Sequence, residues 1–294
     1  MVNFGLSFFP THLSISPVRV AIEAERLGFE SLWIPEHSHM PVETAFPLAD
    51  EVPMMYRSIF DPFVSLAAAA AVTTRLKLAT GICLVTQRDP FNCAKEVATL
   101  DQISGGRVIF GIGAGWNEPE MRNHGTDPAS RFRLMRERVE AMKALWTHDV
   151  AEYHGRLVDF GPTWQWPKPV QRPHPPIILG GAGANVLQRV AAYGDGWLPA
   201  VTPVWNESLR GRMTALDDLE AQILEVQGLA ARAGRPRLAI TVPLAALERL
   251  GPERLAALGA DRVNLGLGSL PESEALGQLA ELGATVAKWN GGGS

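Results

Sequence analysis

The chain has 294 residues, 46% of them hydrophobic and 20% charged, with a formal net charge of −4 and 2 cysteines. This is ordinary globular composition; the interspersed charges exclude a basic face for nucleic acid or anionic membrane, and two cysteines cannot build a disulfide framework. No apolar run approaches the roughly 20 residues of a membrane span, and Met1-Val2-Asn3-Phe4 lacks the basic and apolar regions of a secretion signal, so a cytoplasmic setting is expected.

In chain order, short runs that are apolar on both faces alternate with amphipathic segments. The runs are Val2–Phe8, Ser31–Ile34, Leu76–Ile82, Val108–Gly113, Ile177–Leu179, Gly196–Leu198, Leu238–Val242 and Arg262–Leu267. Parallel strands buried beneath helices require that pattern, and eight of them, alternating with helices, close a (β/α)8 TIM barrel. Ser16-Pro17, Asp61-Pro62, Asp89-Pro90 and Asp127-Pro128 each pair an N-capping side chain with proline at the first helical position. After the first of these, Val20, Ala21, Ala24 and Leu27 share one helical face. After the fourth, Phe132, Met135, Val139, Met142 and Trp146 recur at steps of three and four, which predicts a buried stripe. No composition break divides the chain, so one barrel domain over residues 1–290 and a flexible tail at 291–294 are expected.

Two stretches interrupt the repeat. Residues 38–60 carry Pro41, Pro47 and Pro53 without clear periodicity, and residues 148–175 contain a hairpin predicted over Ala151–Phe160 with its turn at His154-Gly155. Long irregular segments in compact domains are usually functional lids or local disorder. The first leaves the C-terminal end of a strand, where barrel active sites are built, and is read as a substrate-side lid.

Two glycine clusters stand at strand ends, Gly111-Ile112-Gly113-Ala114-Gly115 and Gly180-Gly181-Ala182-Gly183. The first fails the dinucleotide fingerprint, because Gly115 is followed by Trp116, Asn117, Glu118 and Pro119 instead of opening a helix directly. Each cluster alone is explained by a tight turn. Together they point to one phosphate-bearing ligand at a common face. His37, in Pro35-Glu36-His37, sits just past the second strand, where a titratable group reads as catalytic, although a surface loop histidine fits the same pattern. His12 follows the first strand, and His39 gives an H-x-H spacing with His37. A metal site would need ligands at later strand ends, and Gly180-Gly181, Pro199-Ala200, Pro243-Leu244 and Gly266-Leu267-Gly268 supply none, so no metal is expected. Cys83 reads as a small buried hydrophobe, and Asp101, Ser104 and Arg107 fall at the stability end of the barrel.

Several of these motifs occur together: Trp33-Ile34-Pro35-Glu36-His37, Ala94 through Asp101 with Ser104-Gly105-Gly106-Arg107, Gly113-Ala114-Gly115-Trp116-Asn117, Pro176 through Gly181, and Gly194-Asp195-Gly196-Trp197. In this combination the chain resembles the bacterial luciferase-like flavin superfamily, and within it the coenzyme F420-dependent oxidoreductases. The resemblance implies a luciferase-like barrel with its cofactor at the C-terminal face. It implies a non-prolyl cis-peptide bulge at Gly81-Ile82, beside Thr80, supporting the deazaflavin ring, with Glu36 hydrogen-bonded to that ring. Ala114, Gly115, Trp116 and Asn117 would line the cofactor, and Gly180, Gly181, Ala182 and Gly183 would present N–H groups to its phosphate. His37 would be the acid/base, with His12, His39, Trp116 and the lid shaping the pocket of a small organic substrate. Sugar-phosphate dehydrogenases of the family carry a carboxylate where Trp116 stands, so their substrate does not transfer. The implied activity is hydride transfer at deazaflavin C5 by a homodimer. An FMNH2-dependent monooxygenase and a non-catalytic flavin-binding protein remain alternatives, because neither glycine cluster separates FMN from F420.

Overall fold

The computed structural model describes residues 2–183, 185–202 and 211–291. Strands β1 (Asn3–Phe8), β2 (Ser31–Ile34), β3 (Lys77–Thr80), β4 (Val108–Gly113), β5 (Ile177–Gly180), β6 (Gly196–Leu198), β7 (Ala239–Pro243) and β8 (Ala260–Leu267) follow one another around a parallel sheet. β8 pairs with β1 and β3 pairs with β4, so the sheet closes into the eight-stranded barrel. Each strand lies within two residues of its apolar run at either end. The cause is visible in the burial: strands β2 and β4 have every residue buried, as a sheet covered on both faces demands.

Side chains alternate between the lumen and the helical shell. Leu32 and Ile34 join the large core under the helices, whereas Trp33, Ala79, Ile109 and Ile178 form a small separate cluster, packed by Leu198 and Ala239, that fills the lumen. At the end of the barrel where the strands begin, Asp101 accepts from the backbone N–H and side-chain amide of Gln171, and Arg107 donates to the carbonyls of Ala70, Thr73 and Leu76. These residues close the base of the barrel.

Three of the four helix-start signals act as expected. Ser16, Asp61 and Asp89 accept from the backbone N–H of Val18, Val64 and Asn92, opening helices Pro17–Arg26, Pro62–Val72 and Pro90–Ser104. Asp127-Pro128 instead closes a turn, with Asp127 Oδ1 accepting from Ala129 N at 3.0 Å, and the helix begins later, at Arg131–Thr147. Met135, Val139, Met142 and Trp146 are buried along that helix, but Phe132 is 37% exposed. The hairpin pairs Val150–His154 with Asp159–Trp164, so its turn occupies residues 155–158. Residues 38–60 hold one helical turn, Met54–Arg57. Gly291 ends the last helix, Glu272–Gly291, and residues 292–294 of the expected tail lie outside the described residues. Among the described residues, no helix is long and apolar enough to cross a membrane.

Candidate active site

The C-terminal strand ends open into a cavity of about 710 Å³, a size common to small-molecule sites. Trp33 reaches it from the lumen cluster below. Past β3 the Gly81–Ile82 peptide is cis, and Ile82 projects between the ends of β4 and β5. A Cβ on Gly113 would collide with Ile82 Cδ1, and one on Gly180 would lie 2.7 Å from Ile82 Cγ2. These two glycines therefore admit the Ile82 side chain; close packing, more than ligand contact, explains them.

His37 enters the cavity wall from the end of β2. Its Nδ1 lies 2.8 Å from Glu120 Oε2, and Glu120 Oε1 accepts from Ser38 N at 3.1 Å. Glu120 is completely buried. Burial pushes its carboxyl up, but the hydrogen bond and charge of His37 and the Ser38 N–H outweigh this and hold it below its ordinary value. The carboxylate thus orients the imidazole and leaves the second ring nitrogen for a ligand.

Rings surround His37. Trp116 meets it edge-on, with centroids 5.6 Å apart and planes at 74°, and Tyr56 lies 5.6 Å away on another side. Phe46 joins these two, 5.6 Å from Trp116 and 4.9 Å from Tyr56. Phe46 and Tyr56 both come from residues 38–60, and Pro47 and Leu48 of that segment also line the cavity. The irregular segment is therefore held against the site by ring contacts, edge-on between Phe46 and Trp116 and tilted between Tyr56 and His37.

Gly180, Gly181 and Ala182 line the cavity together with three arginines, Arg131, Arg189 and Arg212. Arg131 and Arg189 place their guanidinium carbons 4.6 and 3.6 Å from the Phe132 ring centroid. Arg131 donates to Pro128 O at 2.7 Å, while its buried Nε has no partner. Burial lowers the Arg189 guanidinium from its ordinary value. Among the described residues, neither arginine has a carboxylate within salt-bridge distance. Gly181 has φ +116°, which favours glycine, and a Cβ there would meet nothing within 4 Å. Its N–H already donates to Leu198 O at 3.0 Å.

Glu36 also lines the cavity, but both its oxygens are engaged. Oε2 accepts from Leu84 N and Oε1 from Arg88 Nε, each at 2.6 Å. Arg88 further binds Asp61 at 2.6 Å and Glu96 at 2.8 Å. This network ties the end of β2 to the helices that follow β2 and β3.

Of the other residues singled out by sequence, Ala114, Gly115 and Trp116 line the cavity with Gly81 and Ile82. Thr80 lies beneath, with its hydroxyl donating to Gly111 O at 2.6 Å. Asn117 is buried and holds Met40 and Thr44 of the lid segment through its amide. Gly183 packs against Gly211 and is not among the cavity-lining residues. His12 and His39, expected as pocket-wall residues, are not among the residues that line the cavity. His12 is exposed in the turn after β1, and His39 Nε2 meets Asn123 Nδ2 at 2.9 Å, away from the cavity. Cys83 and Cys93 are free and buried, and burial pushes the Cys83 thiol well above its ordinary range.

Sequence reasoning missed Glu120, Tyr56, Arg131 and Arg189. Glu120 had a signal: Asn117-Glu118-Pro119-Glu120 is a capping pattern, and Asn117 does cap the helix Glu118–Asn123, while the Glu120 side chain turns to His37 instead. Arg131 and Arg189 look like solvated helix residues until the barrel brings their helices together.

The profile of the luciferase-like monooxygenase family matches residues 16–249, and the chain belongs to that family. An uncharacterised protein of Mycobacterium tuberculosis is 37% identical over 292 residues, covering 97% of this chain and 99% of its own length. The barrel is similar to that of the monooxygenase RslO1 from Streptomyces bottropensis (TM-score 0.74, 21% identity, 96% of this chain and 98% of that one). It is also similar to an F420-dependent secondary alcohol dehydrogenase solved with an F420–acetone adduct (TM-score 0.70, 19% identity, 98% of both chains).

Proposed function

We propose that this protein is an F420-dependent oxidoreductase that moves a hydride between deazaflavin C5 and a small organic substrate. The observation that carries the proposal is His37, held through Nδ1 by buried Glu120 in the wall of a cavity also lined by Arg131 and Arg189, which among the described residues have no carboxylate within salt-bridge distance. The residues fit such a cofactor. The buried, unpartnered Nε of Arg131 and the neighbouring Arg189 suit a phosphate, and the open backbone at Gly181 leaves room beside them. Ile82 forms a ridge on which a flat ring system would rest, with Ala114 and Gly115 alongside. When bound, the deazaflavin supplies hydride chemistry at C5.

The chain's own part is proton handling and water exclusion. As an alcohol's C–H hydride leaves and its C=O forms, the hydroxyl proton passes to the free nitrogen of His37, and in the reverse direction the imidazole returns it. Glu120 stabilises the resulting imidazolium. Phe46, Tyr56 and Trp116 cover the site and keep it dry. Parallel titration with F420 and FMN tests the reading. F420 is expected to bind at least about ten-fold tighter, roughly 1.4 kcal/mol. FMN binding equally tightly, with oxygen consumed when FMNH2 is supplied, would favour an FMNH2-dependent monooxygenase instead.

A further inference from the structure

We infer that the substrate seated beside His37 is an uncharged, mainly apolar alcohol or carbonyl compound, and that Trp116, backed by Phe46, sets this preference. The inference rests on the oxidoreductase reading above, but not on the choice between F420 and FMN.

Contacts among His37, Trp116, Phe46 and Tyr56 form a closed circuit, with successive centroids 5.6, 5.6, 4.9 and 5.6 Å apart. Phe9 extends it, 5.1 Å from Tyr56. The rings come from the end of β1, the end of β2, the lid segment and the loop after β4, so four parts of the chain converge to wall one end of the cavity. Tyr56 is a neutral phenol there, since burial pushes its pKa up. A charged substrate group would lose its water against these rings without finding a counter-ion.

The charges around the circuit also oppose an anion. Glu120 stands directly behind the imidazole, and Glu36 is already committed to Arg88. Glu118, also on the wall, pairs with Arg122 at 2.8 Å. Arg131 and Arg189, which with Arg212 line the cavity and among the described residues have no carboxylate within salt-bridge distance, stack on Phe132, on the side assigned above to the cofactor phosphate. An aromatic wall can also accept a cation, but the carboxylates around it, Glu120, Glu36 and Glu118, are already held by His37, Arg88 and Arg122, so none of the three is left to pair with one. What remains is a neutral carbon skeleton against the rings, with one oxygen presented to His37.

The test is calorimetric titration of the protein, loaded with whichever of F420 or FMN it retains, with three matched ligands. They are cyclohexanol, 4-hydroxycyclohexanecarboxylate and (4-hydroxycyclohexyl)trimethylammonium, with the same trio repeated on linear skeletons. The neutral member is expected to bind at least about ten-fold more tightly than either charged one. Trp116→Ala is expected to abolish that ratio and Trp116→Phe to keep it; Phe46→Ala, with the indole left unbacked, is expected to reduce it. Equal or tighter binding of the carboxylate or the ammonium, a ratio unchanged in Trp116→Ala, or no binding by any neutral member would overturn the inference. Retention of neither cofactor would sink the F420 reading alone, because the same titrations on the cofactor-free protein still decide the ligand class.

Discussion

Glu120 Oε2 lies 2.8 Å from His37 Nδ1, with Glu120 wholly buried and His37 facing the cavity. The relationship joins a strand end to the first turn of a helix 83 residues further along the chain. It fixes the proton on Nδ1 and leaves a lone pair on the nitrogen that a substrate would meet. A charged carboxylate at that place also favours the imidazolium that proton transfer creates.

Replacing Glu120 with glutamine keeps the shape but offers an amide N–H as well as an oxygen, so the imidazole tautomer is no longer imposed. The expected result is a fall in kcat of about 10–100-fold, the usual cost of losing a second partner of this kind. Cofactor affinity should stay within a few-fold. Steady-state kinetics beside a cofactor titration measures both, and an unchanged kcat would show that the pair is only structural.

The same carboxylate makes stability pH-dependent. Its folded pKa is lowered, so its contribution is present above the unfolded value of about 4.3 and is lost as pH falls through the folded value. Between pH 6 and pH 3.5 the wild-type melting temperature should therefore drop more than that of Glu120→Gln. Parallel thermal melts across this range check the sign.

Arg88 anchors a second charged network. It binds Glu36, Asp61 and Glu96 at once, and its side chain is mostly buried. Arg88→Met would leave the buried Glu36 carboxylate without its cation, a change that typically costs about 3–5 kcal/mol. Denaturant unfolding should show that loss. A change below about 1 kcal/mol would mean that the network is worth no more than a surface ion pair.

The barrel was legible because its strands are buried on both faces, so runs such as Ser31–Ile34 and Val108–Gly113 announce themselves without alternation. His37 was legible from its place at a strand end. Phe132 was misplaced because helical periodicity counts apolar residues without distinguishing a core from a cavity, and here the ring faces two guanidinium groups. Asp127-Pro128 carries the chemistry of a helix start, yet the Asp127 side chain reaches only Ala129 and spends itself on a turn. His12 and His39 sit at strand-end positions, and which way a loop side chain points is decided by its neighbours, Asn123 and Ser38 in the case of His39. Glu120 was not legible, since nothing local distinguishes a glutamate in the first turn of a helix that caps from one that reaches across the site.

The central claim is that His37 carries the proton in a deazaflavin-linked hydride transfer. Anaerobic single-turnover absorbance at saturating F420, on the wild type and His37→Ala, with a neutral secondary alcohol found to turn over, tests it most directly. The variant is expected to bind F420 within a few-fold of wild type while its rate falls by roughly 10²–10⁴. A His37→Ala protein that reduces F420 at the wild-type rate would contradict it.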